Sequence, residues 1–371
     1  MQYRSLGNLG YRISALGFGA MRLPMKGDNV DEDLSIAIIH RAFELGVNYI
    51  DSAHGYCNGQ SEIVVGKALK GWRDKVWVST KNWKSDRPAG EWRAQLEEQL
   101  RKLEVEYIDI YHMHGIQWKL FEDYISRPGM ALEAARKAKE EGLIRHIAFS
   151  FHDTPEALEK LINTGCYESV TLQYNLLDRA NAPGIALAQQ KEMGVVVMGP
   201  VGGGRLGAPS AEVQALLPGG SRSTPEVALR FVLANSGVSC AISGMNTLAM
   251  VEENCATAAR EEPLSATERV AIEAQLEEKK RLAELYCTGC NYCMPCPNGV
   301  NIPGNFNAMN MLKVYGLKDL ASWMYSEFGP GKENNLPADA CQECGLCEPK
   351  CPQHLHIIDQ LKETARALQK K

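Results

Sequence analysis

The chain has 371 residues, 45% hydrophobic and 23% charged, with a formal net charge of −5 at pH 7. That balance supports a large buried core, argues against disorder, and suggests one large domain plus an appendage. No Lys/Arg run offers a footprint for nucleic acid or anionic membrane, no apolar run approaches the ~20 residues of a membrane span, and MQYRSLGNLGYRIS lacks a signal-peptide core, so a cytoplasmic location and small-molecule chemistry are expected.

Eight short runs of strand-forming residues follow in order: ISALGFGA (13–20), VNYID (47–51), KVWVSTK (75–81), YIDIYHMH (107–114), IRHIAFS (144–150), SVTLQYN (169–175), GVVVMGP (194–200) and GVSCAISG (237–244). Between them lie helical patterns such as 31–46, 93–104, 154–165 and 224–237, which open on capping residues or Thr-Pro and mostly close on glycine. Eight alternations predict a parallel sheet closed on itself as a (β/α)8 barrel over about 250 residues. Past the eighth run the pattern turns helical, with 266–286, NIPGNFNAMNMLKVYG, LKDLASWMYSEFG and a closing HLHIIDQLKETARALQK. We therefore place a barrel at 1–265 and a smaller, mostly helical domain at 266–371, with no low-complexity linker between them.

Catalysis in such a barrel belongs at the C-terminal ends of its strands. Asp51, Tyr56, Lys81 and His114 fall there in succession. Each alone has an ordinary structural explanation: a helix cap, a core tyrosine, a solvated strand end. Together they fit a proton donor. A tyrosine titrates near 10 in water, and a nearby lysine held by an aspartate stabilises its phenolate, while a histidine adds a hydrogen bond to a substrate oxygen.

NYIDSAHGYCNGQSE (48–62), VWVSTK (76–81), YIDIYHMHG (107–115), TLQYN (171–175) and ISGMNTLAMVEEN (242–254) resemble the aldo-keto reductases, so the likeness covers roughly residues 1–260. The resemblance implies a nicotinamide-dependent reductase of a small-molecule carbonyl, with Asp51, Tyr56, Lys81 and His114 as its tetrad. It selects His114 over His112, which alternation leaves facing the same way. It also implies that Ser150 and Gln173 hold the nicotinamide carboxamide, and that Glu253 and Asn254 approach the adenine. The run Gly202-Gly203-Gly204-Arg205-Leu206-Gly207 satisfies G-x-G-x-x-G, but it follows the seventh strand and lacks an acidic strand tip about twenty residues on. Gly202, Gly203 and Gly204, with Gly244 after strand eight, suit instead the phosphate-binding loops of a barrel. Gly244, Met245 and Met250 replace the cations with which NADP-preferring members grip a 2′-phosphate, so NAD(H) is expected over NADP(H). Phe151 and Met198 replace the family's usual asparagine and stacking tyrosine.

Two cysteine combs lie beyond the barrel. Cys341, Cys344, Cys347 and Cys351-Pro352 have the C-x2-C-x2-C-x3-C-P spacing of bacterial ferredoxins, and Cys287, Cys290, Cys293 and Cys296-Pro297 are one residue shorter. Zinc requires fewer cysteines than this, and disulfide frameworks scatter theirs. Two [4Fe-4S] clusters are expected. In two-cluster ferredoxins the fourth cysteine crosses to the other cluster, which pairs Cys287, Cys290 and Cys293 with Cys351, and Cys341, Cys344 and Cys347 with Cys296. The helical spacer resembles the α-helical ferredoxin domains of succinate dehydrogenase iron–sulfur subunits. Of the other cysteines, Cys166, Cys240 and Cys255 read as buried hydrophobes and Cys57 as a pocket wall. A nicotinamide moves two electrons together and a cluster moves one. Three schemes are compatible: reduction with structural clusters, single-electron supply from a ferredoxin-like or flavoprotein partner to a substrate or flavin in the barrel, and an electron carrier or docking protein whose barrel is inactive.

Overall fold

The computed structural model describes residues 1–202, 206–207, 209–217, 221, 223–260, 264–284, 287, 291, 293–331, 333–351 and 355–369. Eight parallel strands close a barrel: β1 (Leu16–Gly19), β2 (Tyr49–Asp51), β3 (Trp77–Asn82), β4 (Ile108–Ile116), β5 (Ile144–Phe151), β6 (Ser169–Gln173), β7 (Gly194–Met198) and β8 (Cys240–Ser243). Each pairs with the next and β8 returns to β1, where Ile242 faces Gly17. These strands are covered on both faces, so they read as near-continuous apolar runs rather than alternations. All eight coincide with sequence-predicted runs. β8 starts three residues later than expected because Val238 N–H turns back to the Asn235 carbonyl.

The barrel interior is solid. A hairpin of Tyr3–Ser5 and Arg12–Ser14 brings fully buried Leu6 and Ile13 against Tyr49, Ile110, Ala148, Val196, Cys240 and Ile242. Gly17 is required there, since a Cβ would stand 2.8 Å from Ile242 Cγ2 and 2.9 Å from Cys240 Sγ. Outside lie α1 (Glu32–Glu44), α2 (Ser61–Ala68), α3 (Ala89–Leu103), α4 (Ala131–Glu140), α5 (Pro155–Asn163), α6 (Ala182–Gln190), α7 (Thr224–Leu233) and α8 (Leu248–Ala258). Their starts follow capping chemistry: Thr154 accepts from Ala157 N–H ahead of Pro155, and Thr247 accepts from Met250 N–H. Gly66 brings α2 within 2.6 Å, measured from its Cβ position, of the Leu103 carbonyl of α3.

The chain divides into two compact units, residues 1–203 with 228–264, and residues 204–227 with 265–371. The sequence reading had left 204–227 with the barrel. Within the second unit this segment is anchored by Ser210, whose Oγ donates to the Tyr315 carbonyl at 2.8 Å. That unit contains helices α9 (Ala266–Glu284), α10 (Ile302–Lys313), α11 (Lys318–Ser326) and α12 (Ile357–Leu368). Its core gathers Val300, Ile302, Phe306, Ala321, Ile357 and Leu361. Among the described residues no helix is long and apolar enough to cross a membrane.

Candidate active site and metal centre

Parallel register sets the candidate site. Gly19 pairs with Asp51, Asp51 with Ser79 and Lys81 with His112, so residues two apart on each strand enter the barrel in layers. Lys81 is 1% exposed and Asp51 2%. The Lys81 ammonium donates to Asp51 Oδ2 at 2.5 Å and to the Ser52 carbonyl at 2.7 Å. Its Nζ also lies 4.9 Å from the centre of the Tyr56 ring. Burial pulls the Lys81 pKa down, but Asp51 and Tyr56 outweigh it and hold it above the ordinary lysine value. A buried cation is thus retained by one carboxylate and turned toward one phenol.

Tyr56 sits in a tight loop between β2 and α2. Its N–H donates to the Ala53 carbonyl, and its own carbonyl accepts from Gly59 and Ser61. Cys57 and Asn58 take left-handed backbone angles, φ 51° and 56°. Such geometry costs ~1 kcal/mol or more per non-glycine residue and is kept only where the surroundings impose it. The Cys57 thiol points at the carbonyls of Ala20 and Met21 after β1, at 3.7 and 3.5 Å, so it ties two loops together. Burial pushes that thiol's pKa up. Cys166, expected to be buried, is only half-buried, whereas Cys240 and Cys255 are buried.

His114 lies edge-on to Tyr56 with ring centres 6.3 Å apart. Burial, then Lys81 and His152, push its pKa down to about 4, so at neutral pH it is an uncharged imidazole able to donate one N–H. Trp83, 57% exposed, stands beside His54 at 5.1 Å between ring centres. Trp118 instead stacks on Phe121 at 5.6 Å. The sequence reading did not single out Ser79 and Thr171. Both are buried and polar, they bracket His112, and Ser79 sits two residues before Lys81 on the same strand face.

Of the expected cofactor contacts, Ser150 is buried and its Oγ accepts from Gly115 N–H at 2.8 Å, leaving its own hydrogen to give. Gln173 directs its amide nitrogen to Asp178 Oδ2 at 3.3 Å, which leaves its carbonyl oxygen as an acceptor. Gly202 has φ +59°, a conformation that favours glycine. Gly203, Gly204 and Arg205 lie outside the described residues. Gly244 is exposed, and the Arg22 stem runs along it, 3.4 Å from where a Cβ would be. Glu253 is exposed on α8, while Asn254 is buried and donates to Ser243 Oγ at 3.3 Å. Met245 is fully buried and Met250 is 43% exposed. Phe151 is buried and packs edge-on against Phe149 at 6.3 Å, and Met198 packs against the barrel core. An unspent serine hydrogen, an unspent amide oxygen and a left-handed glycine fit a nicotinamide dinucleotide.

In the second unit cysteines of both combs gather at one core. Cys347 and Cys351 belong to that core at 9% exposure each, and Cys287, Cys293, Cys296 and Cys341 pack against it. Burial, then neighbouring Glu348, Cys341 and Cys296, push the Cys347 thiol up, so thiols from both combs stand together. Glu343 N–H meets Cys341 Sγ at 3.4 Å, and Asn298 donates to Cys344 Sγ at 3.6 Å. Cys344 itself is exposed, and Cys290 lies outside the described residues. Among the described residues no three Cys, His, Asp or Glu side chains converge as a single-ion site. A gathering of thiols from both combs around one apolar core, with N–H donors aimed at sulfur, fits iron–sulfur clusters, whose ligands sit on separate irons.

Two family patterns match the chain: the aldo/keto reductase family over residues 15–277 and the 4Fe-4S dicluster domain over residues 286–358. Similar proteins include L-galactose dehydrogenase of Arabidopsis thaliana, 29% identical over 311 residues that make up 76% of this chain and 96% of that protein. An NADH-specific methylglyoxal reductase of Escherichia coli is 28% identical over 197 residues, 47% of this chain and 59% of that protein. Among solved structures, the holo form of an aldo-keto reductase from Bacillus halodurans is 30% identical and superposes with a TM-score of 0.64, over 74% of this chain and 96% of that one. The closed eight-stranded barrel, the residues at its strand tips and these likenesses agree: the chain is an iron–sulfur oxidoreductase that belongs to the aldo/keto reductase family.

Proposed function

We propose that the barrel reduces the carbonyl of a small molecule with a nicotinamide cofactor, NAD(H) in preference to NADP(H). The observation that carries this is the buried Lys81 ammonium, held by Asp51 Oδ2 at 2.5 Å and turned toward Tyr56. A bound nicotinamide supplies a hydride, two electrons, to the carbonyl carbon. Tyr56 gives its phenolic proton to the carbonyl oxygen, and Lys81 stabilises the phenolate left behind. Asp51 keeps the lysine charged and aimed. Neutral His114 donates a hydrogen bond to the same oxygen and orients the carbonyl. Ser150 and Gln173 would hold the carboxamide, and Gly202 with its neighbours the phosphates.

The C-terminal unit would hold two [4Fe-4S] clusters, one on Cys287, Cys290, Cys293 and Cys351, the other on Cys341, Cys344, Cys347 and Cys296. Protein purified without oxygen should then contain about eight irons with matching acid-labile sulfide, and four would remove the shorter comb as a cluster site. A second reading rests on the exposure of Cys344: a cluster edge open at the surface suits single-electron exchange with a ferredoxin-like or flavoprotein partner. The test that separates the two is NADH oxidation with methylglyoxal as a probe carbonyl. Wild-type turnover that Tyr56→Phe abolishes, at unchanged NADH affinity, supports the reductase. Turnover retained by Tyr56→Phe overturns the acid assignment.

A further inference from the structure

Strand β4 sends two histidines into the barrel, and only His114 reaches the mouth. His112 is 0% exposed, one layer deeper, with Nδ1 3.3 Å from Ser79 Oγ and Nε2 2.9 Å from Thr171 Oγ1. Ser79 Oγ donates to Asp51 Oδ1 at 2.8 Å, and Asp51 Oδ2 accepts from Lys81. Counting hydrogens sets the direction at Ser79, which also neighbours the buried Tyr49 hydroxyl, while the imidazole has the Thr80 backbone carbonyl as a further acceptor for its ring proton. A hydroxyl carries one hydrogen, and that of Ser79 goes to Asp51. Toward His112, Ser79 therefore accepts, and the ring proton is on Nδ1. Burial and the positive Lys81 keep the imidazole neutral, so Nε2 is bare and takes the Thr171 hydrogen.

We propose that His112 is a positioning residue for the Asp51–Lys81 pair: its Nδ1–H fixes the Ser79 hydroxyl so that Ser79 donates to Asp51 Oδ1 and leaves Oδ2 to the lysine. This rests on the reading of Tyr56, Lys81 and Asp51 as the proton-donating group. Without that N–H the Ser79 hydroxyl can rotate away, and the carboxylate loses a directed donor in a layer closed to water. Lys81 then loses the fixed counter-ion that aims it at Tyr56. Thr171 supports the opposite side of the ring and has no contact with Asp51 in this chain of bonds, so the two ring nitrogens have unequal jobs.

That inequality is testable. An asparagine amide N–H can take the place of Nδ1, whereas a glutamine amide reaches the place of Nε2. With the holoenzyme, NADH and methylglyoxal, His112→Asn should keep kcat within ~3-fold of wild type, while His112→Gln and His112→Leu lose ~10-fold or more at unchanged NADH affinity. Ser79→Ala should lose as much as His112→Leu, and the double variant should be no worse than either, because both break one chain of bonds. Should His112→Leu fail to fold, Ser79→Ala and the Asn/Gln order still decide. Nitrogen-15 NMR of the wild-type histidines, with His112→Asn as the assignment, should show His112 protonated on Nδ1. Glutamine rescuing as well as asparagine, additive losses, or an Nε2-protonated ring would each overturn the proposal. A wild type unable to reduce any carbonyl defeats the reading of the barrel instead, while the tautomer stands or falls on the NMR alone.

Discussion

At the residue scale the site is an exercise in keeping one charge and suppressing others. Lys81 stays charged at 1% exposure because Asp51 accompanies it, and removing one partner of such a buried pair costs about 3–5 kcal/mol through the charge left behind. Asp51→Asn should therefore lower stability as well as turnover, a combined loss that thermal melting and kcat would register together. His114 works in the opposite direction. Its pKa is pushed down to about 4 from an ordinary 6.5, so the folded protein leaves it neutral across the interval in which the unfolded chain protonates it. The unfolded state then binds more protons between those values. Stability contributed by this residue is full above about 6.5 and is lost as pH falls toward 4. For catalysis the consequence is a donor that does not change state near neutrality. A pH–rate profile of methylglyoxal reduction should run without a step near pH 6.5, and a step there that vanishes in His114→Asn would contradict a neutral donor. Asp51, Lys81 and His114 on successive strands and Tyr56 in the loop after β2 could be picked out as a candidate group because each is a reactive residue type near a strand's C-terminal end. Ser79 and Thr171 could not, since a single buried hydroxyl inside a strand has no pattern of its own until the hydrogen-bond partners are in place.

At the scale of elements, strands buried on both faces leave uninterrupted runs, and Thr-Pro starts mark helices, which is why all eight barrel strands and α5 and α7 could be read from sequence. The segment 204–227 could not be assigned that way. Its grouping with the C-terminal unit depends on tertiary contacts such as that of Ser210 with Tyr315, 105 residues apart, and nothing local encodes a partner so distant. The cysteine combs are the converse case, because ligand spacing is itself local. The proposed crossing of the fourth ligand is not, and it carries a prediction. Cys296 is an electrostatic neighbour of Cys347 in the other comb, so Cys296→Ser should damage the cluster of the 341–347 comb rather than that of its own. Paramagnetic resonance of the reduced variant, compared with Cys344→Ser, gives the answer: both variants should lose the same signal. Loss of different signals would mean that each comb keeps its own fourth ligand.

At the scale of the molecule, an aldo/keto reductase barrel is joined to a 4Fe-4S dicluster domain, and the nucleotide preference proposed above bears on which chemistry the barrel performs. A 2′-phosphate carries about two charges and needs an arginine or lysine, each charge-assisted contact being worth ~1.5–3 kcal/mol. After β8 the chain offers Gly244 without a side chain, Met245 turned into the core, and Met250 exposed on the first turn of α8. Arg22, from the loop after β1, is the cation found against Gly244. Its stem carbons lie beside the glycine, and we predict that its guanidinium serves a phosphate that both nucleotides share. NADH should accordingly bind at least as tightly as NADPH, and Met250→Arg should move the ratio of affinities toward NADPH by ~10-fold, the worth of one such contact. Arg22→Met should weaken both nucleotides alike. Fluorescence titration of the cluster-loaded protein measures all three. A wild type that prefers NADPH and loses the preference in Arg22→Met would show that Arg22 grips the 2′-phosphate and supplies the cation that Gly244, Met245 and Met250 lack. Failure of either nucleotide to bind would leave the two-electron route without a donor, and the exposed Cys344 edge would then be the place to look for the electrons.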